Sequence, residues 1–406
     1  MSSPGIGIRP LTAADDLEPD VDLALRAFGS ADRDEHLART RRLIGDAQVI
    51  GAFDGTALVA SAHYFGLQQW WYGRSLPTAG VGGVKVAPEE RGRGVGRALM
   101  TGLLEQAAAQ GYVLSVLYPA AIGVYRATGW EFGGGQYDVT IPARSLRSLV
   151  APDPAAGLAP DPAVPLRRTG PADAAQILAV ESALLEAGRD CGPVTYRAAD
   201  LAALLDEGVF SYLAADGEMS YRWHRDQDEV LAYSLVAGSA ATLRTLWSVL
   251  ASHATMVSNV RAFVNPASPV TWLTSLPDVA LRRREAWMLR LIDAPAAIAG
   301  RGFPAGAAVH TALTVADAQL PANAGRWLLE ISGGKGLLSR ADGAAAGPPG
   351  SAGEPLRLGA RGLAALYAGT PLATLRIAGL AGGGDPAADV ALDEAFGCTA
   401  YMCDYF

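Results

Sequence analysis

At 406 residues, half of them hydrophobic and only 18% charged, the chain exceeds what one core normally fills, so two or three domains are expected. A net charge of −8 argues against nucleic acid or an anionic membrane as partner and suits cationic small molecules or basic peptide tails, although acidity also serves solubility alone. Three cysteines without CxxC spacing and five scattered histidines without HExxH give no disulfide frame and no metal site.

The opening residues, MSSPGIGIRP, lack the basic and apolar segments of an export signal, and no apolar run reaches about 18 residues. A cytoplasmic chain without a membrane span is therefore expected. IGIRP at 6–10 reads as a short strand, followed by a helix through Leu23, Leu25 and Phe28. Residues 48–73 read as a hairpin turned at Asp54-Gly55.

Residues 81–100, VGGVKVAPEERGRGVGRALM, are the stretch around which the chain is organised. Val84 and Val86 alternate at strand period, and Pro88 stops the ladder because it has no N–H. Val95, Leu99, Leu103 and Ala107 then recur at helical spacing as far as Gly111. Between strand and helix, Gly92, Gly94 and Gly96 allow close backbone approach, and the first-turn N–H groups of a helix attract anions. Arg91, Arg93 and Arg97 add forked donors that suit a diphosphate. A dinucleotide fingerprint fails because its third glycine position holds Arg97, and a P-loop fails because Gly334-Lys335 is followed by Gly336.

The stretch resembles the [RQ]-x-x-G-x-[GA] signature of the GCN5-related N-acetyltransferase (GNAT) superfamily, which follows a V-x-V-x-P strand. That resemblance implies an acetyl-CoA site in which Val84, Lys85 and Val86 pair with the pantetheine arm. Arg91, Gly92, Arg93, Gly94, Val95, Gly96 and Arg97 would hold the pyrophosphate. The apolar run 112–117 reads as a buried strand, and beyond it the family commonly carries a Ser-Glu pair near the cofactor. Here Ala120 and Ala121 leave only backbone contacts. IGVYRATGWEF at 122–132 resembles the superfamily's Y-x-x-x-G-[FW] ending, implying that Tyr125 faces the thioester sulfur, with Gly129 and Trp130 completing the motif. A phenol of reference pKa about 10 is protonated at neutral pH and can give its proton to a departing thiolate.

Residues 151–165 are a proline–alanine connector too poor in large apolar residues to pack. The order strand, Ala-Asp turn, helix and hairpin (turned at Asp216-Gly217) then repeats, through VLAYSLVA and ATLRTLWSVLASHA. The turn in this second copy, Gly238-Ser239-Ala240-Ala241, has no arginine, so no cofactor is expected there. From Arg282 the pattern changes to short strands (MLRLID, TALTVAD, GRWLLEIS, LRIAGL), helices near 294–299 and 359–368, and a glycine-rich loop at 341–355.

As a whole the chain resembles the enhanced intracellular survival (Eis) family, most specifically at 84–97, LYPAAIGVYRATG, MLRLIDAPAAIAGRGF and the final CDYF. The resemblance implies tandem GNAT-like folds, the first active and the second degenerate, then a sterol-carrier-protein-like α+β domain. The expected spans are 1–150, 151–285 and 286–406. It implies hexamers, acetyl-CoA as co-substrate without a metal, and an acceptor that is an aminoglycoside or similar polyamine. The α-carboxylate of Phe406 would be the general base. Lysine side chains of proteins are an alternative acceptor, and a lipid- or sterol-binding scaffold with a vestigial cofactor site is the alternative from another class.

Overall fold

The computed structural model describes residues 5–29, 32–46, 48–149, 164–274, 279, 281–341 and 354–405. Most of the 151–165 connector, most of the 341–355 loop and Phe406 lie outside the described residues.

The first copy runs β1 (Ile6–Pro10), α1 (Glu18–Phe28), α2 (Arg33–Gly45), β2 (Val49–Asp54), β3 (Ala57–Trp71), β4 (Ser75–Val86), α3 (Val95–Ala109), β5 (Leu114–Leu117), α4 (Ile122–Ala127) and β6 (Glu131–Pro142). Val95, Leu99, Met100, Leu103, Leu104 and Ala107 of α3 are all at most 1% exposed, packed on Ile50, Ala52, Ala60 and Val81 of the sheet. Each large side chain buried in this way contributes about 1.5–3 kcal/mol, so the helix that follows the glycine turn is firmly seated. Helices α1 and α2 cover the opposite face through Leu17, Val21, Leu37 and Leu43. Helix α2 escapes sequence reading because its apolar positions are sparse among arginines and acids.

The second copy runs β7 (Arg167–Thr169), α5 (Ala174–Gly188), β8 (Cys191–Thr195), α6 (Ala198–Asp206), β9 (Phe210–Ala214), β10 (Gly217–His224), β11 (Glu229–Ala237), α7 (Ala240–Ala251), β12 (Asn259–Phe263) and β13 (Arg282–Leu291). Its helix α7 buries Leu246, Trp247 and Leu250 as α3 does in the first copy.

The two copies exchange their closing strands. The sheet order is β1-β2-β3-β4-β5-β13-β6-β12-β11-β10-β9-β7, with β8 paired to β3. Strand β13 thus lies between β5 and β6 of the first copy, while β6 extends across to β12 of the second. This corrects the assignment of MLRLID to the third domain, and the expected junction at 285/286 falls inside β13. Trp287, Met288, Leu289, Arg290 and Leu291 are at most 1% exposed, the burial of a central strand covered on both faces.

The third module contains α8 (Ala294–Gly300), β14 (Val309–Ala316), β15 (Gly325–Ser332), β16 (Lys335–Arg340), β17 (Leu356–Gly359), α9 (Ala360–Tyr367), α10 (Leu372–Ile377), β18 (Ala381–Gly382) and α11 (Pro386–Phe396). Its sheet order is β16-β15-β14-β17-β18. LRIAGL, expected as a strand, supplies the end of α10, where Leu372 and Leu375 bury one helical face. Among the described residues no helix is long and apolar enough to cross a membrane.

Candidate active site

Strands β4 and β5 pair in parallel only over Thr78–Val81 and Leu114–Leu117; beyond these residues they diverge and leave one edge of β4 open. The β3–β4 register slips between Ser61 and His63, and Gly83 takes a left-handed φ of 58° at this bulge. The Ala87 N–H bonds to the Val59 carbonyl across β3. By strand alternation the amides of Val84 and Val86 therefore face the open edge, while Lys85 faces β3. The Lys85 side chain turns into the interior: its Nζ lies 3.1 Å from the Asp20 carboxylate, with both residues at most 3% exposed. Burial alone would raise the Asp20 pKa, but hydrogen bonds from His36 and Ser61 and the Lys85 ammonium hold it well below the usual carboxylate range. This cluster braces α1 and α2 against β3 and β4.

At the turn, Gly92 and Gly94 have φ of 80° and 82°, a region that side chains other than glycine rarely enter. Gly94 caps α3, no side chain accepts from its first-turn N–H groups, and no acid occupies that turn. These donors point outward with the helix dipole behind them. Arg91 and Arg97 are exposed beside the turn, whereas Arg93 is drawn to Glu90 and lies 3.8 Å from Asp54. Val95 points inward and contributes only its backbone. A Cβ on Gly96 would stand 3.5 Å from Val86 Cγ2 and 3.8 Å from Val124 Cγ1. Strand, turn and α4 thus meet at one place, where a diphosphate fits the donors and an extended amide chain fits the open strand edge. Ala120 and Ala121 are exposed and lead into α4 without a side-chain cap.

Tyr125 on α4 is 5% exposed, with its ring set edge-on to Trp130 at 6.4 Å. Burial raises its pKa, so the phenol stays protonated. Its hydroxyl makes no hydrogen bond to the described residues.

Sequence reading missed the seat of the C-terminal tail. Tyr118, just past β5 at the mouth of the splay, donates to the Asp404 carbonyl at 2.6 Å, and its ring lies 4.6 Å from that of Tyr405. Gln136 donates to the Cys403 carbonyl at 2.9 Å. Tyr401 donates to Asp190 at 3.0 Å, and Asn265 does so at 2.8 Å. The tail passes through the groove of the second copy, sharing a void of about 380 Å³ with residues 234–238 at and just past the end of β11 and with Asn265 and 267–269 beyond β12. This is the second copy's counterpart of the first copy's splay. The turn there is closed to an anion from within: Ser239 accepts from the Thr242 N–H, and the Thr242 hydroxyl donates to the Asp216 carboxylate.

Next to that groove, Glu181, Glu218 and Asp404 face a void of about 230 Å³, together with Tyr196, Tyr233 and Tyr405. Burial pushes Glu218 up to about 7 and Asp404 up to about 6; burial and the two neighbouring acids also raise Glu181. Among the described residues no group of three or more His, Cys, Asp or Glu is arranged to hold a metal ion.

Residues 7–133 and 196–291 match models of acetyltransferase (GNAT) domains, and 294–404 matches a sterol carrier protein domain. A crystal structure of a GCN5-related N-acetyltransferase from Kribbella flavida is 40% identical, with a TM-score of 0.88 over 99% of this chain and 98% of that one. The N-acetyltransferase Eis of Mycobacterium tuberculosis is 28% identical over 306 residues, 73% of this chain and 74% of its own. Eis1 of Mycobacterium abscessus shares the fold, with a TM-score of 0.75 at 22% identity over 99% of this chain and 100% of its own. The architecture is therefore two GNAT folds followed by a sterol-carrier-like domain, and acetyl-CoA is the co-substrate. The chain belongs to the GCN5-related N-acetyltransferases, is similar over most of its length to Eis, and transfers acetyl groups to amines.

Proposed function

We propose that the acceptor is a cationic polyamine of the aminoglycoside class, acetylated by direct transfer at the first copy's cleft. Tyr125 is the general acid and the α-carboxylate of Phe406 the general base. The ammonium gives a proton to that carboxylate, and the neutral amine then attacks the thioester carbonyl. As the C–N bond forms and the C–S bond breaks, the thiolate takes the Tyr125 proton, and the second proton lost from the acceptor nitrogen returns the phenolate to phenol. Val84 and Val86 orient the pantetheine arm, and the turn from Arg91 to Arg97 holds the diphosphate. The observation that carries the acceptor class is the acidic hollow of Glu181, Glu218 and Asp404, which Tyr405 joins to Tyr118 at the cleft mouth. A lysine-bearing peptide has the same charge and is the second reading.

Thiol release measured against aminoglycosides, linear polyamines and lysine peptides tests the assignment. Preference for the peptides would redirect it to protein acceptors. Turnover with none of these amines would overturn it.

The hollow also sets a pH dependence. Carboxyls with pKa raised to about 6 and 7 are neutral below those values and charged above them. A cation binds the charged form, so the acceptor KM should fall as pH rises from about 5.5 to 8. Glu218→Gln should flatten that fall and raise KM at pH 8 about tenfold, the loss expected for one partly screened charge pair. A KM that ignores both pH and the substitution would detach the hollow from the acceptor.

Gly94→Val forces a β-branched residue into a left-handed conformation, at a cost of about 1–2 kcal/mol, at the point where the backbone meets the diphosphate. The acetyl-CoA KM should rise about tenfold or more with a smaller change in kcat. An unchanged KM would place the diphosphate elsewhere.

A further inference from the structure

Helix α4 has six residues and no side-chain cap, too little to hold its own shape in water. It is fixed from its C-terminal end. The Thr128 hydroxyl bonds to the carbonyls of Val124 and Tyr125 at 3.0 and 3.1 Å, and the Trp130 N–H also reaches the Tyr125 carbonyl at 3.1 Å. The next turn rests on the third module. Gly129 has φ of 94°, and a Cβ there would meet Arg290 Nε at 2.8 Å and the Ala360 methyl at 3.0 Å. Arg290 is itself locked by two bonds to Asp317, at 2.6 and 2.7 Å.

The residue after Trp130 closes the connection. Glu131 is 4% exposed and receives an arginine on each oxygen. Arg126, adjacent to Tyr125, donates to Oε1 from Nε and Nη2 at 3.1 and 2.8 Å, and the Phe132 N–H adds a third bond at 3.1 Å. Arg361, in the first turn of α9, donates to Oε2 through Nε at 2.7 Å, with Nη2 at 2.6 Å. Burial alone would raise the Glu131 pKa, but these bonds hold it below its ordinary value.

We propose that Arg361 of the sterol-carrier-like domain is a positioning residue for acetyl transfer, acting through Glu131 and Arg126 to fix α4 and aim the Tyr125 hydroxyl at the leaving sulfur. The proposal rests on Tyr125 as general acid. It gives the third domain a part in the chemistry separate from the tail it carries. Arg361, its side chain 36% exposed, faces a separate hollow that it shares with Arg126, Gly129 and Asp317, away from the β4 edge and the glycine turn.

The test is a double-mutant cycle in the full-length protein, with thiol release and acetyl-CoA binding measured side by side. Arg361→Ala should lower kcat about tenfold and leave the acetyl-CoA KM and the melting temperature nearly unchanged. Arg361→Lys, which keeps the charge but loses the forked contact, should restore part of that loss. In a Tyr125→Phe background, Arg361→Ala should cost nothing further, because the hydroxyl it aims is gone. Full activity of Arg361→Ala, or an equal loss in both backgrounds, overturns the positioning role while leaving Tyr125 as the acid. A fully active Tyr125→Phe removes the acid assignment and this role with it.

Discussion

Tyr125→Phe should lower kcat by about 10²–10⁴-fold while changing the acetyl-CoA KM by no more than about twofold. The substitution removes one oxygen and keeps the ring, which packs among Trp130, Leu103 and Leu117 in the first copy's core. Because the hydroxyl makes no hydrogen bond to the described residues, its loss should not reduce the melting temperature. The effect is confined to the transition state. Attack of the amine leaves charge on the sulfur, and without a donor the thiolate departs unprotonated. Burial raises the phenol's pKa, so the wild-type enzyme should keep its acid through the whole neutral and mildly alkaline range. An unimpaired kcat in the phenylalanine variant would remove Tyr125 from the mechanism.

The parts of this site that were legible from sequence are those encoded locally. The glycines at 92 and 94 take left-handed backbone angles, Gly96 leaves the turn close to Val86, the valines at 84 and 86 obey strand period, and Tyr125 sits at a fixed offset from Gly129 and Trp130. Local rules also gave the repeat, because Asp54-Gly55 and Asp216-Gly217 each turn a hairpin. What was not legible depends on partners far along the chain. Nothing in MLRLID says that it will lie between β5 and β6, since an apolar strand fits any central slot and only loop reach and register choose among them. Lys85 stands inside the signature, yet strand alternation sends its ammonium to Asp20, 65 residues earlier, on the face opposite Val84 and Val86. The acidic hollow gathers Glu181, Glu218 and Asp404 from α5, β10 and the tail, so no spacing could have announced it. A signal did exist for the tail: Tyr401, Tyr405 and Phe406 are aromatic at a position where polar residues are usual.

Appending a few residues after Phe406 should reduce turnover about a hundredfold or more and leave folding and acetyl-CoA binding intact. The backbone leading there is bonded step by step. Gly135 N–H bonds to the Ala400 carbonyl, Tyr401 N–H to Cys191, and Met402 N–H back to Gly135, at 3.3, 3.0 and 3.1 Å. Gln136 and Tyr118 then take the carbonyls of Cys403 and Asp404 at 2.9 and 2.6 Å. The entropy of ordering the tail is thus met during folding, before any acceptor arrives, which is what a base needs in order to act as a positioned group. A free α-carboxylate of pKa about 3.5 is a poor base, and burial of a carboxylate raises its basicity. Burial pushes Asp404, two residues before the terminus, up to about 6. An extension converts the terminal carboxylate into a neutral amide and moves the new charge away by the length of the added segment. Losing one anchor instead, as in Tyr118→Phe, should cost only about 1 kcal/mol of positioning and so roughly a fivefold loss of kcat. A fully active extended enzyme would move the base elsewhere. Comparable losses in the two variants would show that the tail acts by filling space rather than by its charge.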